Sequence, residues 1–186
     1  MKQAILIHGW DGNPNNCWFP WLREELLKLG YEVIIPHMPH PEEPTIKDWV
    51  SQLASAADEI NEESILIGHS IGTQTTLRFL EQSNQKIKAS FLVAPFFELD
   101  LEDEDDESRA VAKPWLETPI DFKKVKGSCP YFYSMFSDDD GYVPLTNVEL
   151  FKERINSETL VLHNRAHFEI FQDLPELLVA IQKLNK

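Results

Sequence analysis

The sequence predicts an α/β fold, a parallel sheet with helices on both faces. Three observations predict it. Short, nearly continuous apolar runs recur along the chain, as in strands buried on both faces. Longer stretches with helical apolar spacing separate them. Turn-forming residues stand where one pattern gives way to the other. The runs are AILIH (4–8), EVIIP (32–36), SILIGH (64–69), SFLVAP (90–95), YFYSMF (131–136) and TLVLH (159–163). Their alternation with helical patterns places all six in one parallel sheet.

Taken in order, WFPWLREELLKLG follows the first run and stops at Gly30, a residue suited to a helix end. The next helix opens at Thr45, an N-cap residue, with Asp48 at its third position. TQTTLRFLEQS follows the third run, VELFKERI the fifth and LPELLVAIQKLNK the sixth. Residues 96–127 break the rhythm with an acidic run and then KPWLETP. A connection this long is a candidate lid or binding loop. Its acidic part, 102–107, reads equally well as a solvated loop. Phe96, Phe97 and Trp115 are its candidates for lining a pocket. No repeat or domain boundary interrupts residues 1–186, which are expected to form a single domain.

The 186 residues are enough for one sizeable core, and 42% of them are hydrophobic. A formal net charge of −14 argues against nucleic acid and anionic membrane surfaces as partners. Two cysteines without CxxC spacing, Cys17 and Cys129, fit a reducing compartment, so a cytoplasmic location is expected. MKQAILIHGW is expected to be a core strand rather than a targeting segment. No run approaches the roughly 18 apolar residues of a membrane span.

GHSIG (68–72) carries the strongest chemical signal. A G-x-S-x-G between a strand and a helix is a tight turn that exposes a nucleophilic serine, here Ser70. Both glycines are expected because side chains there would collide with the turning chain. The amide of Ile71 then lies at a helix N-terminus, a favourable place for negative charge. A second oxyanion donor is expected after the first strand, in HGWDG (8–12), and Trp10 is assigned to it; a plain βα turn is the other reading.

Six histidines compete for the general base. His8 and His69 lie inside the turn motifs. His37 and His40 occupy PHMPHPEEP and lack a helix to align them on a metal. His163 ends the last strand and is expected to face the sheet. His167 follows in HNRAHFEIF, at the sheet edge to which Ser70 points, and is assigned as the base. The acid is sought in SDDDGYVP (137–144), where Asp138, Asp139 and Asp140 adjoin. Such a cluster is equally a turn former, so a solvated turn and a catalytic acid are both open from these residues alone.

HGWDG, GHSIG, SDDDGYVP and AHF together resemble an α/β-hydrolase, with the chain order Ser, Asp, His. MPHP, RAVAKPW and CPYFYSMFSDDDGYVP extend the resemblance to the small serine hydrolases of the retinoblastoma-binding-protein-9-like (YdeN-like) family, over essentially the whole chain. The resemblance implies a six-stranded sheet in the order 2-1-3-4-5-6. It also implies Asp140 as the acid, because this residue stands four before Pro144 as in the family's D-x-x-[VL]-P; Asp139 is the alternative. Two neighbouring carboxylates should then face water or cap the turn, since burying three together is costly. The sequence departs from the family at Ala166, where glycine usually precedes the histidine, and this should alter the loop's backbone. No L-x-C-x-E motif occurs, so retinoblastoma binding is not implied by the name.

The expected function is hydrolysis of a small ester, thioester or amide through Ser70, His167 and Asp140, with the amides of Trp10 and Ile71 as oxyanion donors and no cofactor or metal. A small acyl substrate is the expected partner, and a monomer is compatible with the chain. A binding module on the same fold with a vestigial triad is the alternative, and transfer to an acceptor other than water is a third.

Overall fold

The computed structural model describes residues 2–184. In chain order the elements are β1 (Gln3–Ile7), α1 (Phe19–Lys28), β2 (Glu32–Ile34), α2 (Ile46–Ala56), β3 (Ile65–His69), α3 (Ile71–Gln82), β4 (Ala89–Val93), α4 (Asp106–Glu117), α5 (Phe122–Ser128), β5 (Phe132–Ser137), α6 (Thr146–Ile155), β6 (Glu158–Leu162) and α7 (Pro175–Leu184). The strands form one sheet in the order β2-β1-β3-β4-β5-β6, and all pairs are parallel. β1, β3, β4 and β5 are buried at every residue, which is why their sequences are apolar without alternation. The edge strands β2 and β6 are partly exposed. β2 is shorter than the apolar run suggests, because it pairs with β1 only over Glu32–Ile34 before Pro36 intervenes.

The sheet order reverses at β1. Right-handed crossovers therefore send α1 to one face and the connections running toward β6 to the other. The turns after β1 and β3 diverge at this point and leave a crevice at the carboxyl edge, where open α/β sheets bind ligands. Two capping expectations hold: Thr45 accepts from the Asp48 amide at 3.2 Å, and Gly30 takes φ +81° after α1.

The connection 96–127 differs from a loop, since α4 and α5 occupy much of it. Half of the acidic run is a helix start. Asp105 accepts from the Ser108 amide at 2.7 Å, and Asp106 and Glu107 occupy the positive end of α4. Charge density hid this helix in the sequence, because the same residues suit a solvated loop. Trp115 is 1% exposed and does not line a pocket; its indole donates to the Pro44 carbonyl and packs across Trp49. Phe97 likewise stacks on Phe151, with ring centroids 4.2 Å apart. Of the three aromatic candidates only Phe96 reaches the cleft.

Candidate active site

Ser70 sits between β3 and α3 with φ 53° and ψ −122°, a conformation costly for any residue with a side chain. The surroundings hold it there. Its amide donates to the Val93 carbonyl at 2.9 Å, and its carbonyl accepts from the Thr73 amide and hydroxyl. A Cβ at Gly68 would come within 2.7 Å of the Gly72 carbonyl oxygen, and one at Gly72 would overlap the carbonyl of Ile7. Both glycines are therefore required, as the motif suggested.

Three loops bring the expected side chains together. Ser70 Oγ lies 2.8 Å from His167 Nε2, and His167 Nδ1 lies 2.8 Å from Asp140 Oδ2. Asp140 comes from the β5–α6 turn and His167 from the β6–α7 loop. The Asp140 side chain is 1% exposed and that of His167 10%. Asp140 Oδ1 also accepts the amides of Tyr142 and Val143 at 2.9 and 3.0 Å, so its burial is compensated.

The neighbouring aspartates are exposed, as expected, but they do more than meet water or cap their own turn. Asp139 accepts from the Ser137 hydroxyl and, at 2.8 Å, from the Ala166 amide. Asp138 accepts from the Asn164 amide at 3.2 Å and pairs with the His163 ring. Hydrogen bonding holds both carboxyls below their usual pKa. The two therefore fasten the loop that carries His167. This corrects the expectation for His163, which is 87% exposed and turns toward Asp138 instead of the sheet.

His69 is a positioning residue that the motif did not disclose. Its Nε2–H donates to the His167 carbonyl at 2.8 Å, and its ring packs edge-on to Trp18. Burial first, then the neighbouring His167, pushes its pKa down to about 3 from the ordinary 6.5. Between those values the unfolded chain holds a proton that the folded one does not. Stability should thus be full above pH 6.5 and fall as pH drops toward 3, by up to about 1.4 kcal/mol per pH unit for such a histidine. Urea unfolding of wild type and His69→Gln checks this; the variant should show a flatter pH dependence in that window. His8, buried with a lowered pKa, adds a slope of the same sign.

The His167 loop is wound through positive φ at Asn164 (54°), Ala166 (45°) and Phe168 (63°). Ala166 thus stands, without glycine's freedom, in the left-handed region that favours glycine. Ala166→Gly should raise the melting temperature by about 2 °C, a net gain of roughly 0.5–1 kcal/mol after glycine's entropy. A fall in calorimetry would mean that no strain is stored there.

A cleft of about 420 Å³ opens over Ser70. Trp10 and Ile71 border it beside the serine. A Cβ on Gly9 would lie 3.3 Å from Ser70 Cβ, so the turn after β1 passes directly against the elbow. Ile71 is the first residue of α3, where an amide has no intrahelical acceptor. Leu99, Leu101, Val111 and Ala112 add apolar lining from the 96–127 connection. Asn147 secures this connection to the turn bearing Asp140: its Oδ1 accepts the Phe97 and Glu98 amides, and its Nδ2 donates to the Glu98 and Pro144 carbonyls. Nothing in the sequence marked Asn147, because three of its four bonds go to backbone groups about fifty residues away. Among the described residues no cluster of three or more His, Cys, Asp or Glu side chains could hold a metal ion.

A nucleophile elbow at the switch point of such a sheet defines a hydrolase architecture. The serine hydrolase family model matches residues 4–183, and the chain belongs to that family. YdeN of Bacillus subtilis (strain 168), named as a hydrolase, is 30% identical over 183 residues, covering 94% of this chain and 91% of its own. The serine hydrolase RBBP9 of Rattus norvegicus is 25% identical over 170 residues, covering 90% and 87%. The crystal structure of the B. subtilis ydeN product superposes with a TM-score of 0.89 at 26% identity, covering 100% of this chain and 99% of that one. A structure from a study of carboxylesterases of the thaumarchaeon Nitrososphaera gargenis shares the fold at a TM-score of 0.75 and 17% identity, covering 99% and 89%. No helix among the described residues is long and apolar enough to cross a membrane.

Proposed function

We propose that this protein hydrolyses a small ester, thioester or amide through an acyl-enzyme on Ser70. The observation that carries the reading is the unbroken hydrogen-bonded chain from Ser70 Oγ through His167 to the buried carboxylate of Asp140. Ser70 attacks the acyl carbon while His167 Nε2 takes its proton. Asp140 keeps the imidazole in the Nδ1–H tautomer and stabilises the imidazolium. The amides of Trp10 and Ile71 receive the oxyanion. His167 then protonates the leaving group, and a water activated by the same imidazole releases the acid. The unpaired Cys17 and Cys129 fit work in a reducing cytoplasm.

A fluorophosphonate probe and a series of p-nitrophenyl esters test the proposal. Peptide mapping should find the probe on Ser70, and short acyl chains should be cleaved, as suits a cleft of about 420 Å³. A folded protein that neither labels nor cleaves would be a binding module on this fold.

A further inference from the structure

The charge of the cleft points to a substrate class, an inference that rests on the acyl-hydrolase reading above. Among the described residues the cleft wall holds the carboxylates of Asp11, Glu42, Glu43, Glu104, Asp105, Glu107 and Glu169 but no lysine or arginine. The carboxylates concentrate usefully at one place. The Tyr142 ring meets the His167 ring edge-on at 5.2 Å and is 41% exposed, unusual for so large an aromatic group. Burial raises its phenol pKa, and the charges of Glu104, Glu169 and Asp140 raise it further, so these carboxylates lie within electrostatic reach of the ring. Glu104 arrives from the 96–127 connection and Glu169 from the His167 loop, on separate segments. Neither has a salt-bridge partner among the described residues.

Carboxylates on one cleft wall without an ion-pair partner among the described residues leave that wall negative, and an exposed aromatic ring on the same wall adds a face that attracts an ammonium group. The position matters as much as the charge. His167 delivers its proton to the leaving group, so whatever lies beside His167 and Tyr142 belongs to the leaving fragment. We propose that this fragment is cationic: the substrate is an ester, thioester or amide whose alcohol, thiol or amine bears an ammonium on a short spacer, held by Tyr142, Glu104 and Glu169. In the acylation step the Ser70 Oγ–acyl bond forms and the acyl–heteroatom bond breaks. The Ser70 proton passes through His167 Nε2 to the departing heteroatom. Water then supplies hydroxide to the acyl carbon and returns a proton to Ser70, giving a carboxylic acid and a cationic alcohol, thiol or amine.

The test compares S-butyrylthiocholine with its uncharged carbon isostere, S-(3,3-dimethylbutyl) thiobutyrate, by thiol release. Wild type should favour the cation by about tenfold in kcat/KM, the scale of one exposed cation–π contact with one exposed ion pair. The preference should shrink as sodium chloride is raised. Within the double variant Glu104→Gln/Glu169→Gln the ratio should fall to about threefold, the share left to the Tyr142 ring, and Tyr142→Leu should lower it from the wild-type value by a similar factor. A wild-type ratio of one or less, or a ratio unmoved by the double variant, overturns the cationic class. Fluorophosphonate labelling separates the two readings. If Ser70 labels while the cation has no advantage, only the substrate class fails; if Ser70 does not label and neither thioester is cleaved, the hydrolase reading fails with it.

Discussion

Ser70→Ala is expected to abolish fluorophosphonate labelling and to lower ester turnover by about 10⁶-fold, the scale found when a serine protease loses its nucleophile or base. His167→Ala should cost as much, because Ser70 Oγ and His167 Nε2 share one hydrogen bond and work as one unit. The double variant should be no worse than either single one. The fold should survive. Alanine at residue 70 deletes one hydroxyl and keeps the backbone bonds that pin the elbow, Ser70 amide to Val93 and Thr73 amide to the residue-70 carbonyl. Steady-state kinetics beside thermal melts check both halves. Wild-type turnover in either single variant would remove that residue from the mechanism, and additive losses in the double one would show that Ser70 and His167 do not act as a unit.

Asp140→Asn is expected to cost about 10³–10⁴-fold in turnover with little change in stability. The reason is in the hydrogen bonds. Oδ1 of Asp140 accepts the Tyr142 and Val143 amides, so an asparagine must keep its oxygen there. Its NH₂ then occupies the place of Oδ2, 2.8 Å from His167 Nδ1. Two donors cannot face each other, so the imidazole moves its proton to Nε2 and can no longer accept one from Ser70. Asp139→Asn and Asp138→Asn should cost little, since an amide oxygen can still accept from Ala166 or Asn164. Alanine at residue 139 should cost more than asparagine, because it releases the loop carrying His167. If Asp139→Asn were the crippled variant and Asp140→Asn near wild type, Asp140 could not be the acid.

Much of the molecule was legible before any coordinates. Strands buried on both faces must be apolar throughout, so the six runs marked β1 to β6 within a residue or two, apart from the shorter β2. GHSIG is a local device: the positive φ of Ser70 and the crowding at Gly68 and Gly72 arise within one turn and the strand beside it. Thr45 and Gly30 act within a few residues of themselves, and they too could be read directly. Such features are visible in a sequence because their causes are short-range.

Other features are decided between segments far apart in the chain. Whether Asp138, Asp139 or Asp140 faces His167 depends on how the turn after β5 meets the loop after β6. Three identical side chains carry no mark of it, and only the resemblance to a family chose Asp140. His163 lies one residue past β6 and pairs with Asp138, a partner on a different loop that its own neighbours do not indicate. His69, inside GHSIG itself, holds His167 by a carbonyl ninety-eight residues distant. α4 was hidden because acidic residues serve a solvated loop and a helix start equally well, and its seat is set by Trp115 on Pro44 and Arg78 on the Trp115 carbonyl. Backbone pattern and turn chemistry are written in neighbouring residues; partner choice among like side chains is an energy difference that exists only when distant segments pack.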